Sequence, residues 1–190
     1  MIMEHFLLQE FLGNTMQDYA LFIGAVLLSL IFKKLISKYL SRLLFKLVSK
    51  TDTEIKVENF DALLTKPIGF FIMLFIIYLA SSLIEYPAQW NLVSENEIGL
   101  KMLISKGFSL LFIYSIFWIL VKMIDFVGLI LRKKAELTEN KMDDQVIPFV
   151  IKIGKILICI FGIFVIMGSV LNVNIAALVT GLGIGGLALA

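Results

Sequence analysis

The chain is short of the residues from which soluble active sites are built. It has one cysteine, Cys159, which excludes an internal disulfide or a thiolate cluster, and one histidine, His5, which excludes a histidine-based metal site. Charged residues make up only 17% of the 190, against about 25% in an ordinary globular protein. Seventeen Lys and Arg face 15 Asp and Glu, a net charge of +2 with no basic stripe outside the loops, so nucleic acid is excluded as a partner. No Ser/His/Asp or Cys/His set exists; neither an enzyme nor a cofactor is expected. The first twenty residues carry Glu4, Glu10 and Asp18 and no Lys or Arg, so no cleavable secretory signal is expected.

What the chain has instead is apolar surface. Apolar residues are 59% of the sequence and mean hydropathy is +0.95, too much for a soluble core of this size. The expected fold class is all-α: a polytopic helical membrane protein with about five transmembrane helices. A tail over 1–18 precedes a first span at 19–32. That span is only about 21 Å of helix, short for a hydrocarbon core of roughly 30 Å, so it should extend at both ends, with Lys33 and Lys34 snorkelling to the headgroups. A basic connector, 33–66, leads to a second span at 67–84, where Pro67 suits a first helical turn. A third span, 103–121, has its apolar heart at 107–121, and an amphipathic extension, 123–131, follows it. An inner helix pair occupies 141–190: a fourth span near 147–171 and a glycine- and alanine-rich fifth segment, 175–190.

Basic residues fix the expected orientation. Eight lie between Lys33 and Lys66 and seven between Lys122 and Lys155, while the 85–106 stretch has two and the N-terminal tail and the 172–174 turn have none. Fifteen against two, alternating from loop to loop, puts the N-terminus outside and the end of the fifth segment inside. In the connector, Leu35, Ile36, Tyr39, Leu40, Leu43, Leu44, Leu47 and Val48 recur at helical spacing, with Lys38, Arg42, Lys46 and Lys50 at other positions. This is a basic amphipathic helix that either continues the first span or lies along anionic headgroups. Lys152 and Lys155 sit where the fourth span enters the membrane, to bind headgroups or to mark the boundary.

Gly181, Gly183 and Gly186 match the dinucleotide-binding spacing letter for letter, but that fingerprint needs a strand before it, and what lies upstream is apolar sequence at membrane depth. The same glycines serve close helix packing in lipid. Ala176, Ala177, Gly181, Gly183, Gly185, Gly186, Ala188 and Ala190 make half of the fifth segment small. Such helices pack tightly in pairs or, by symmetry, line a narrow pore; packing alone favours the pair. Asp143 and Asp144 are neighbours that cannot converge on a substrate. Asp144, with Pro148 four residues on, reads as a cap or first-turn anion. Lys122 and Asp125 read as an interfacial ion pair. Cys159 reads as packing and His5 as a solvated tail residue. No span carries an ionisable residue at its centre, which counts against an ion-coupled transporter and fits a passive pore with a dewetted constriction.

Lys141–Ala190 resembles the inner helix pair of the small-conductance mechanosensitive channel family, in its five-helix bacterial branch. The D-D-Q-x-x-P start of the penultimate helix, the short Asn-containing turn and the run G-L-G-I-G-G-L-A-L-A carry the resemblance. It implies a homo-oligomer of seven copies in the bacterial inner membrane, passing ions and small osmolytes under tension and osmotic stress. Leu187 is then a pore constriction, and Gly183, Gly186, Ala188 and Ala190 pack between subunits. The outer helices face lipid as tension sensors, with their basic ends, among them Lys33, Lys34, Lys38, Arg42, Lys152 and Lys155, holding lipid headgroups. The pattern also leads one to expect a second sealing leucine, a β-domain and an α/β vestibule past Ala190. The alternative is a non-conducting scaffold or accessory subunit that oligomerises through its small-residue helix.

Topology is directly measurable. In a Cys159→Ser background, cysteines at Asn91 and Asn172 should react with an impermeant thiol reagent from outside, and cysteines at Lys50 and Asn140 only from inside. Outside labelling at Lys50 would reverse the orientation.

Overall fold

The computed structural model describes residues 10–48, 57–86, 99–135 and 143–189. Five helices lie among the described residues: α1 (Met16–Val48), α2 (Val57–Ser81), α3 (Leu100–Ala135), α4 (Asp143–Ser169) and α5 (Ile175–Leu189). The one sheet among the described residues is a hairpin, β1 (Glu10–Phe11) paired antiparallel to β2 (Asn14–Thr15). Its two loop residues, Leu12 and Gly13, both have positive φ, 53° and 85°, as a two-residue hairpin loop with the right twist requires.

α1 begins where the sequence supplies a cap. The Thr15 hydroxyl accepts from the Asp18 N–H at 3.2 Å, and the Asp18 carboxylate accepts from the Thr15 N–H at 2.9 Å and its hydroxyl at 2.7 Å. Two helix-end donors are thus satisfied reciprocally, with Asp in the place usually taken by Glu. The helix then runs 33 residues without a break, roughly 50 Å at 1.5 Å per residue. The basic stretch from Lys33 to Val48 therefore continues the first span's helix. α3, at 36 residues, likewise absorbs both the third span and its amphipathic extension.

Pro67 departs from the expectation of a first-turn proline. α2 starts at Val57, ten residues earlier, and Pro67 lies fully buried inside it. Tertiary packing explains the difference. Leu64, Ile68 and Ile72 on either side of Pro67 form a buried cluster with Phe126 of α3, against which Leu40 and Phe45 of α1 also pack. That burial holds the helical turn before Pro67 despite its missing donor. α4 starts at Asp143, which puts Asp144 in the first turn and Pro148 at the sixth residue, inside the helix, where its missing N–H leaves Asp144 O without its helical donor.

Among the described residues four helices are long and apolar enough to cross a membrane: Met16–Leu43, Asp61–Ser81, Leu100–Lys133 and Val146–Ser169. α5 contributes 15 described residues, about 22 Å of helix. Large apolar side chains stand exposed along these helices, among them Ile31, Leu103 and Phe161, each more than 60% open, as a chain solvated by lipid requires. This is a multi-pass helical membrane protein.

Helices pack in chain order, α1 on α2, α2 on α3 and α3 on α4. Small residues sit at the seams. Ser29, Ser37 and Ser41 of α1 are buried, with Ser37 against Gly69 of α2. The Ser29 and Ser37 hydroxyls donate to Val26 O and Lys34 O on their own helix, so close approach strands neither, while the buried Ser41 hydroxyl has no hydrogen-bond partner among the described residues. Between α2 and α3 the contact is aromatic: Phe70 meets Trp118, Phe71 meets Phe112 and Tyr78 stacks on Phe108.

One long-range clasp closes the end of the α1–α2 pair nearest the hairpin. The Asn14 side-chain amide donates to Glu85 O and its carbonyl accepts from the Glu85 N–H, both at 2.7 Å, imitating a backbone strand pair. Asn14 is 4% exposed. Asn14→Ala should strand both Glu85 groups and cost about 1–3 kcal/mol. Thermal unfolding in detergent and amide exchange at Glu85 report it; unchanged exchange there would show the clasp to be idle.

Candidate functional site

Two features stand out as candidates: α5, and the basic ends of the outer helices. α5 is placed by the turn before it. Asn172 takes the left-handed conformation, φ 56°, which Asn tolerates better than most residues, and Val173 N–H donates to Met167 O at 2.9 Å. The Asn174 side-chain carbonyl then accepts from Ala177 N–H at 3.1 Å, capping α5. Both asparagines of the short turn thus have work that their side chains explain.

Gly168 lets α5 fold back onto α4. A Cβ at Gly168 would lie 3.0 Å from Ile175 Cγ1, tighter than ordinary contact. Beyond Ile175 the helix leaves its own chain. Ala176, Ala177, Leu178, Val179, Gly181, Gly183, Ile184 and Gly186 are all exposed. A Cβ built on Gly181, Gly183 or Gly186 would meet nothing within 4 Å. Gly185, Leu187 and Ala188 are helical, but their side chains fall outside the described residues, as does Ala190 altogether.

The basic side chains divide into two groups. Lys33, Lys34 and Lys38 line a crevice of about 580 Å³ between α1 and α2, joined there by Lys66 and floored by Gly69, Phe70 and Met73. Lys152 is exposed on α4. Arg42 and Lys155, in contrast, meet carboxylates. Arg42 Nε lies 3.8 Å from Asp61 Oδ2, a loose surface pair. Lys155 reaches across to Asp125 of α3, which also accepts from Lys122 at 3.1 Å. The pair read from sequence is therefore a triad, and its third member comes from the neighbouring helix. Asp125 is the sole acidic residue in 98–135, but nothing in that run points to a partner on another helix. Cys159, read as packing, is exposed on α4. Among the described residues no three His, Cys, Asp or Glu side chains cluster as a metal site would require.

Over 184 residues, 95% of this chain, the sequence is 33% identical to the small-conductance mechanosensitive channel MscMJ of Methanocaldococcus jannaschii. The chain is related to the small-conductance mechanosensitive channels. An uncharacterised MscS family protein of Bacillus subtilis, YhdY, is 28% identical over 191 residues, 99% of the chain. Both matches take in the outer helices as well as α4 and α5. The chain spans about half the length of these curated relatives, 49% and 47%. No family model matches the chain, and no solved structure does.

Gly168→Leu should push α5 off α4, because a branched side chain must displace Ile175. Overpacking of this kind costs roughly 1–3 kcal/mol. Spin labels at Val165 and Val179, in a Cys159→Ser background, should move apart and the melting temperature should fall. An unchanged separation would mean that Gly168 does not set the bend.

Proposed function

We propose that the chain is the membrane part of a tension-gated ion channel, releasing ions and small osmolytes on hypo-osmotic shock. The observation that carries this reading is the match to a named mechanosensitive channel along nearly the whole chain. The bare glycine and alanine faces of α5 support it: they find no partner within the described part of the chain, and small residues in lipid are used for close contact between helices.

Copies of the chain then assemble as a heptamer in the cytoplasmic membrane, the inner membrane of a bacterium, with the N-terminus outside and α5 ending inside. Ala176, Ala177, Gly181, Gly183, Gly185, Gly186, Ala188 and Ala190 pack α5 against its neighbours around the axis. Leu187 projects into the lumen, where a ring of leucines keeps the neck dry and stops ions. α1 to α3 lie outside as tension sensors, and the open state wins under tension because it occupies more membrane area. The uncommitted lysines at their basic ends, Lys33, Lys34, Lys38 and Lys152, meet anionic headgroups.

The seal gives the test. Leu187→Ser in the full-length protein should re-wet the neck, lower the opening tension in membrane patches and slow growth without hyperosmotic support. Both the loss of buried apolar area and the added hydroxyl push toward opening. Leu178, nine residues back on the same helix, lies roughly 180° around it, so Leu178→Ser should not leak. A leak from Leu178→Ser alone would reverse the lumen-facing stripe. No conductance in any variant under any tension would replace the channel with a scaffold that oligomerises through α5.

A further inference from the structure

α3 and α4 meet in one antiparallel register. Ile151 fills the space beside Gly128, Ile124 Cδ1 would lie 3.2 Å from a Cβ on Gly154, and the Phe117 ring 3.0 Å from one on Gly162. These glycine holes set how closely the helices approach. They also resist a slide, because one turn along the seam sets Ile124 against Val150 or Ile158 instead of Gly154, and Phe117 against Ile158 or Ile166 instead of Gly162. The charges add a second constraint. A one-turn slide of α4 carries Lys155 about 5.4 Å from Asp125; in the direction that brings Cys159 to that height it leaves the carboxylate with Lys122 alone, whereas the opposite slide offers it Lys152. In surroundings of low polarity a carboxylate that loses a partner is costly.

We propose that Asp125 is a positioning residue: held by Lys122 on its own helix, it binds Lys155 and fixes the axial register of α4 on α3. α4 passes through the tight turn at 172–174 straight into α5, so the register of α4 sets the height of α5. That consequence rests on the channel reading. The register itself does not, and it is measured without conduction.

The experiment uses the full-length protein in its membrane, with Cys159→Ser. Cysteines at Gly128 and Ile151 report the native register by oxidative cross-linking; cysteines at Ile124 and Ile158 report a slide of one turn in the direction that leaves Asp125 with Lys122 alone. Asp125→Asn should slow the native cross-link by roughly threefold to tenfold, the range expected of coupled neighbours, and raise the displaced one. Lys155→Met should do the same, and the double variant no more than either alone. Asp125→Glu, which keeps the charge, should restore the native cross-link. Lys122→Met should retain it. Patch recordings of the same variants, without the reporter cysteines, should give one shared shift in opening tension for Asp125→Asn and Lys155→Met. A native register in Asp125→Asn overturns the proposal. So does a shift confined to Lys155→Met, which would mean that Lys155 acts on headgroups. Should Asp125→Asn fail to reach the membrane, Lys155→Met decides: an unchanged register overturns. Loss of register with unchanged opening tension upholds the latch and counts against α5 as the pore helix.

Discussion

In hydrocarbon a helix gains nothing by hiding apolar surface, since lipid tails are as apolar as leucine. Contact between helices must come from fit and from the few polar groups that would otherwise be stranded. The whole arrangement follows from this constraint. Ser29, Ser37 and Ser41 of α1 are buried, with Ser37 against Gly69 of α2, and the α3–α4 seam is lined by Gly128, Gly154 and Gly162. In each case the small residue marks a place where backbone or side chain of one helix comes close to the other. Bulky side chains that would be a core in water, such as Ile31, Leu103 and Phe161, instead face outward.

Polar groups obey the same constraint from the other side. Serine hydroxyls at Ser29, Ser37 and Ser115 return to carbonyls three residues back on their own helices. They are therefore satisfied before the helices meet, and they hold the helices close without fixing them. The Asn14 amide and the Asp125 carboxylate behave differently: each finds a partner on another element, at opposite ends of the bundle. These cross-links specify geometry, which apolar contacts alone do poorly.

Much of this was legible in the sequence. Apolar run length gave the helices, because a membrane leaves no other way to satisfy the backbone. Asn172 and Asn174 marked the turn before α5, and Asp144 with Pro148 marked the start of α4. Pro67 misled, because local preference places a proline at a helix start and only the packing of Leu64 and Ile68 against Phe126 extends the helix past it. The Asn14 clasp was illegible, since its partner is a backbone 71 residues away and a backbone leaves no trace in the sequence. Lys155 was visible only as a boundary charge. Its alignment with Asp125 depends on how the glycine holes seat one helix on the other, which no spacing within a single helix reveals.

The two halves of the inner pair make unlike use of glycine. On α4, Gly154 and Gly162 are each filled by a side chain of α3, Ile124 and Phe117, so their cost in helix stability, roughly 1 kcal/mol per Gly relative to Ala, is offset within the chain. On α5, Gly181, Gly183 and Gly186 carry the same cost, and a Cβ on any of them would meet nothing within 4 Å among the described residues. Four consecutive helices hold to the arrangement of neighbour on neighbour, and the fifth touches its predecessor chiefly at Ile175 beside Gly168. A helix so rich in glycine is weak by propensity, and the closeness that glycine permits is useful only where another surface is brought against it.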